Sequence, residues 1–159
     1  MREEITVRDI QKRGGRYRFT ILGECVSMKN RRRIVKVRGK TRSVKSDKAL
    51  AFWEVAKLQL RPARPLVEGP VRMWIRIFYV NPLSDLDESI VLDVLQGVVY
   101  VNDRQVFEVH KYKRFSKDNP RVEIELEELR AEEWEGIKTG LTSRARQTVP
   151  KGLAQEPFA

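Results

Sequence analysis

The sequence predicts an α+β fold: a single domain in which a mixed β-sheet carries two main helices, with a basic β-hairpin near the N-terminus. Three observations predict it. Side chains alternate with a period of two around residues 17–21, 71–80, 106–115 and 122–126, the period of strands, and residues 71–80 carry apolar side chains partly on both faces. Residues 46–60 and 88–97 instead carry apolar side chains at helical spacing, each closed by a stop signal. With 159 residues the chain is long enough for one well-cored domain and too short for two comfortable ones.

Residues 1–15 are polar and end in Gln11-Lys12-Arg13-Gly14-Gly15, a flexible leader feeding the first strand. In that strand Tyr17, Phe19 and Ile21 alternate with Arg18 and Thr20, and it ends near Gly23. Ten Lys or Arg residues and one acid, Asp47, lie between Lys29 and Lys48. Within that stretch the β-branched spacing of Ile34, Val35 and Val37, then Gly39, then Ser43 and Val44, reads as a hairpin. Its arms carry Arg31, Arg32, Arg33, Lys36, Arg38, Lys40 and Arg42. A row of cations with almost no acids favours a surface for backbone phosphates over a merely solvated loop.

Ser46 is placed to cap a helix that Arg61-Pro62 stops. Leu50, Trp53, Lys57 and Leu60 share one side of it and Ala49, Phe52, Ala56 and Gln59 the next, a face broad enough to cover a sheet. The proline-rich RPARPLVEGP joins it to a central strand, in which Val71, Met73, Ile75, Ile77 and Tyr79 alternate with Arg72, Trp74, Arg76 and Phe78. After Asn81-Pro82 come Asp85 and Asp87, then a short helix with Ile90, Val91, Val94 and Leu95 as its buried stripe and Gly97 as its stop. A short strand is expected over residues 98–101, a turn at Asn102-Asp103-Arg104, and strands over residues 106–115 and from Arg121 on. The domain therefore spans residues 16–130. Residues 131–159 lose the pattern and read as a mobile basic tail.

Lys and Arg total 32 against 22 Asp and Glu, a formal charge of +10 that favours a polyanionic partner, nucleic acid first. No apolar run approaches the roughly 20 residues needed to span a bilayer, and the N-terminus has no hydrophobic signal core, so a cytoplasmic protein is expected. One cysteine, Cys25, and one histidine, His110, exclude an internal disulfide and leave no basis for a Cys- or His-rich metal centre. His110 reads as a strand surface residue, and Cys25 as a small partly buried side chain.

Carboxylates are what remains for chemistry on phosphates. Oxygen ligands suit Mg²⁺, and a bound divalent ion both neutralises phosphate charge and activates water. Asp85 and Asp87 at a strand-to-helix junction, with Asp103 in a later turn, are the candidate ligands. The bland alternatives are helix capping for the first two and a turn role for Asp103.

The stretch LDVLQGVVYVNDRQVFEVHKYKRFSKDNPRVEIEL, preceded by DLD and far upstream by GECVSMKNRRR, resembles the RusA-type Holliday junction resolvase family over roughly residues 17–129. The resemblance implies a RusA-like fold and a homodimer, bacterial or phage-encoded, that nicks four-way DNA junctions symmetrically with Mg²⁺, Mn²⁺ being a possible substitute. It places the family's three essential aspartates on Asp85, Asp87 and Asp103, as both catalytic and metal-binding residues. Ser27, Lys29 and Asn30 are matched to the serine, lysine and asparagine that the family carries ahead of this region, here in the order Ser-Met-Lys-Asn. Lys29 and Asn30 then join the hairpin cations, together with Arg104, Lys111 and Lys113, as candidate nucleic-acid contacts.

Two departures stand out. Where the family has asparagine and then lysine after the second aspartate, this chain has Glu88 and Val91. Aligning without a gap from the downstream block makes Asp85 the second aspartate and sets Leu83 and Ser89 at the places of the first aspartate and the lysine. Either way the lysine is missing, so a nucleic-acid-binding relative with weakened or lost catalysis is the alternative function. Lys111, Lys113 and Arg104 are the candidates to replace its charge.

Overall fold

The computed structural model describes residues 10–28 and 32–139, with the hairpin side chains at residues 32–35, 37 and 42–45 outside the description. Five strands form one mixed sheet, in the order β1 (Gln11–Arg13), β2 (Arg16–Leu22), β7 (Arg121–Glu128), β5 (Val71–Tyr79) and β6 (Val106–Phe115). All neighbours run antiparallel except β5 and β6, which are parallel. A parallel pair needs a crossover, and helix α2 (Ser89–Leu95) supplies it.

The sheet has one apolar and one ionic face because each strand alternates. Val71, Met73, Ile75, Ile77 and Tyr79 of β5 are all fully buried, as are Ile21 of β2 and Val122 and Leu126 of β7. Against them pack Phe52 and Ala56 of α1 (Asp47–Gln59) and Ile90, Val91, Val94 and Leu95 of α2. Each such aliphatic side chain contributes about 1.5–3 kcal/mol by leaving water. Ser46 caps α1 as expected, its hydroxyl accepting from the Ala49 amide at 3.3 Å. Of the two predicted rows on α1, Ala49, Phe52, Ala56 and Gln59 turn inward, while Leu50 stays exposed and Trp53 is half-buried. Buried Gln59 exchanges two 2.8 Å hydrogen bonds with the Leu22 backbone, tying the end of α1 to the end of β2.

Among the described residues, the opposite face has no helical layer over most of its area and carries an ionic lattice. Glu125, fully buried, lies 2.8 Å from Arg16 and 2.6 Å from Arg18. Arg16 also meets Glu127, Arg72 meets Glu108 and Glu127, and Arg121 meets Glu123. Rings fill the gaps: Arg16 stands over Trp74, and Arg121 lies 3.6 Å over Phe78. His110 stacks on Trp74 with centroids 5.7 Å apart, so it is a strand surface residue.

The basic segment is a hairpin, β3 (Arg32–Val37) with β4 (Lys40–Lys45), in a sheet of its own. Its turn needs two consecutive positive φ angles, 49° at Arg38 and 75° at Gly39, the geometry that matches strand twist in a two-residue hairpin.

Three sequence expectations are corrected. Residues 11–13, assigned to the leader, pair with β2 as the edge strand β1, because Gly14 and Gly15 turn the chain back on itself. Residues 98–101 are not a strand but a largely buried turn with single bridges from Tyr100 to Val67 and Gln96. Residues 131–139, assigned to the tail, form α3 (Ala131–Thr139), held by Trp134 edge-on to Phe107 at 4.4 Å and by Glu133 at 3.1 Å from Arg72. The rest of the expected leader and tail lies outside the described residues.

Candidate active site and nucleic-acid interface

Asp87 sits at the head of α2 and is almost completely buried. One carboxylate oxygen accepts from the Met28 amide at 2.6 Å and the Ser27 hydroxyl at 3.1 Å; the other accepts from the Ser89 amide at 3.0 Å and the Ser89 hydroxyl at 2.6 Å. Its own amide donates to the Tyr79 hydroxyl at 3.2 Å. Burial alone would raise this carboxyl group's pKa; the bonds from Ser89, Met28 and Ser27 outweigh it and hold the pKa at about 2. A carboxylate offers about four acceptor positions, and here all four have donors. Asp87 is therefore the clamp that joins the segment leading into β3 to the N-terminus of α2. The capping alternative raised from sequence describes its local chemistry well.

Asp85, two residues earlier, is exposed. It lines a cleft of roughly 210 Å³ with Glu24, Ser27, Lys48, Leu83 and Ser84. Ser27 lies just before the hairpin and Lys48 just after it, so both roots of the basic arm meet the cleft that Asp85 faces.

Asp103 lies elsewhere. It begins a 3₁₀ turn (Asp103–Gln105) capped by Asn102, and its amide donates to the Gln96 side chain at 3.4 Å, at the C-terminal end of α2. Asp87 stands at the N-terminal end, so a helix of roughly 10 Å separates them. Among the described residues, no three His, Cys, Asp or Glu side chains gather closely enough to hold a metal ion. A single chain therefore does not assemble the three aspartates that the sequence suggested as ligands.

The replacement cations divide in the same way. Lys111 of β6 lies 2.6 Å from Glu88, and Lys113 donates to the Pro82 carbonyl at 2.6 Å, so both brace the loop that carries Asp85 and Asp87. Arg104 is exposed beside Asp103, at the other end of α2. Val91, where the resemblance expects lysine, is fully buried against the sheet and has no route to the cleft. Lys36, Arg38 and Lys40 are exposed on the hairpin. Lys29, Asn30 and Arg31 lie outside the described residues, as do the side chains of Arg32, Arg33 and Arg42.

Sequence reasoning missed Ser89, Tyr79 and Lys48. Asp87-x-Ser89 at a helix start is a legible capping signal; the roles of Tyr79 and Lys48 depend on tertiary packing and left no local trace. Cys25 is buried beside this site, and desolvation, then the charge of Asp87, pushes its thiol up to about 12, which makes it inert.

The sequence pattern of Endodeoxyribonuclease RusA matches residues 24–127, well over half of the chain. The chain belongs to the RusA endodeoxyribonuclease family. The matched span begins at the cleft wall, takes in the hairpin, α1, α2 and the acidic loop, and ends in β7, before α3. The two-layer α+β architecture is consistent with that RusA membership, and nuclease chemistry on branched DNA is the family's general activity. No curated protein matches the chain significantly. Among the described residues, no helix is long and apolar enough to cross a membrane.

Proposed function

We propose that this RusA-family protein is a structure-selective endodeoxyribonuclease that resolves Holliday junctions by paired symmetric nicks, in DNA recombination and repair in a bacterial or phage-infected cytoplasm. One observation carries the reading: both roots of the basic hairpin open onto the cleft lined by exposed Asp85. A duplex arm gripped by the hairpin through its phosphates is thereby led to the acidic loop. Lys113 keeps positive charge beside that loop, where Glu88 balances Lys111 and Val91 cannot supply a charge.

The ion that fits such chemistry is Mg²⁺ or Mn²⁺, which would supply charge neutralisation and an activated water. Because one chain leaves Asp103 at the far end of α2, no hydrolytic step is assigned to Asp103 within a protomer. Paired nicks require two equivalent centres and hence a two-fold homodimer.

A second reading, a DNA-binding relative without cleavage, is favoured by the saturation of Asp87 and by the burial of Val91. Labelled four-way junctions incubated with the full chain and either ion distinguish the two. Paired nicks support the nuclease; tight binding without nicks supports the second reading.

A further inference from the structure

The sheet ends on two very different margins. β1 has three residues, too few to template another strand, whereas β6 has ten and is the outermost strand on its side. Among the described residues, no backbone group of another element hydrogen-bonds to the outer edge of β6. Long regular edges are normally shortened, bulged or covered, because a row of open N–H and C=O groups invites another strand. The irregularity in β6 falls at its very start, opposite Val71 and Arg72, and leaves Glu108 to Phe115 in regular register with β5. Phe107 and Phe115, near its two ends, are 47 % and 56 % exposed.

We propose that β6 pairs antiparallel with β6 of a second copy of this chain, merging two five-stranded sheets into one across a two-fold axis at Lys111. It rests on the dimer included in the function proposed above and specifies its contact surface. The register follows from facing. An axis perpendicular to the sheet keeps each side chain on its own face, so only residues of like face can oppose one another. Glu108, His110, Tyr112 and Arg114 share the ionic face, aligned with Arg72, Trp74, Arg76 and Phe78 of β5.

Centring on Lys111 sets Glu108 opposite Arg114 of the partner subunit and His110 opposite Tyr112 of the partner subunit, and the two-fold makes each contact twice. Opposite charges and ring pairs are what stabilise directly opposed residues. Centring on His110 would face Glu108 with an uncharged tyrosine; centring on Tyr112 would carry Glu108 past the partner's strand end and face His110 with an arginine. Lys111 meets its own copy on the axis, but Glu88 of its own chain already balances each ammonium at 2.6 Å.

The test begins with the molar mass of the full-length protein by light scattering after size exclusion, expected at twice the chain mass of 18.6 kDa. Lys111→Cys and Lys113→Cys are then oxidised mildly and run without reductant. Directly opposed strand residues have Cα atoms about 4.5–5.5 Å apart, within disulfide reach. Lys111→Cys is therefore expected to give a covalent dimer. Two copies of Lys113→Cys would lie roughly 13 Å apart along the strands and stay uncrosslinked. The native thiol, Cys25, is buried and does not compete. A monomeric mass overturns both the dimer and this interface; a dimeric mass without preferential crosslinking at Lys111→Cys overturns the interface alone.

Discussion

The backbone amide of Met28 donates to the Asp87 carboxylate at 2.6 Å, across 59 residues of chain. With the bond from Ser27 at 3.1 Å, this contact fixes the segment that launches the basic hairpin against the helix that follows the acidic loop. Asp87→Asn keeps the shape but places an amide group where a donor now points. The expected loss is about 2–3 kcal/mol, with two buried donors left short of acceptors. For a chain of this size each kcal/mol lowers Tm by about 2–4 °C, a shift readily measured by calorimetry.

The same carboxylate gives a pH dependence of definite sign. Its folded pKa, about 2, is depressed below the ordinary value of 3.8. Its contribution is therefore fully present above pH about 4 and is lost as the pH falls toward 2, amounting to roughly 2 kcal/mol. Urea midpoints measured from pH 5 to about 2 should fall more steeply for the wild type than for Asp87→Asn. Parallel curves would remove Asp87 from the account of acid sensitivity.

On the ionic face, Glu125 is fully buried between Arg16 and Arg18, while the Arg18 side chain is half exposed. Glu125→Ala removes the anion that both guanidinium groups share, but Arg16 keeps Glu127 and both arginines reach solvent, so the expected cost is about 1–3 kcal/mol. Arg18→Ala removes only the solvent-screened partner and should cost under about 1 kcal/mol. Chemical denaturation of the two variants checks this asymmetry.

The hairpin is a separate two-stranded sheet, so its charges are expected to matter for DNA and little for folding. Replacing Lys36, Arg38 and Lys40 together by glutamine should leave stability within about 0.5 kcal/mol. Junction affinity should fall, and the slope of log K against log salt should drop by up to about 0.9 for each phosphate that is no longer neutralised. Fluorescence anisotropy across a salt series reads both.

Much of this molecule was legible in its residues because alternation in β5, and over the first half of β7, maps directly onto the buried face of the sheet, whereas β6 at the sheet margin buries no residue fully. The Ser46 cap, the Arg38-Gly39 turn and the apolar stripe of α2 are equally local signals. α3 was missed because it has no buried residue of its own and is held by Trp134 and Glu133 against side chains of β5 and β6. At the site, spacing placed Asp85 and Asp87 at the loop but could not reveal which faced water. That difference arises from Ser27, Met28 and Tyr79, residues distant in sequence. Nor could spacing reveal that α2 keeps Asp103 away from the loop, because the turn after Gly97 leads the chain to the opposite helix end.

The central claim, that the acidic loop at the foot of the basic hairpin is a nuclease centre, turns on Asp85. It is exposed, so Asp85→Asn should fold as the parent does. The decisive measurement is the cleavage rate of a labelled four-way junction in Mg²⁺ or Mn²⁺, with binding followed on the same samples. The account predicts paired nicks by the wild type and a loss of about a hundredfold or more in Asp85→Asn, with affinity changed by no more than a few fold. A wild type that binds junctions but never cuts them, or an Asp85→Asn variant that cuts as fast as the parent, would contradict it.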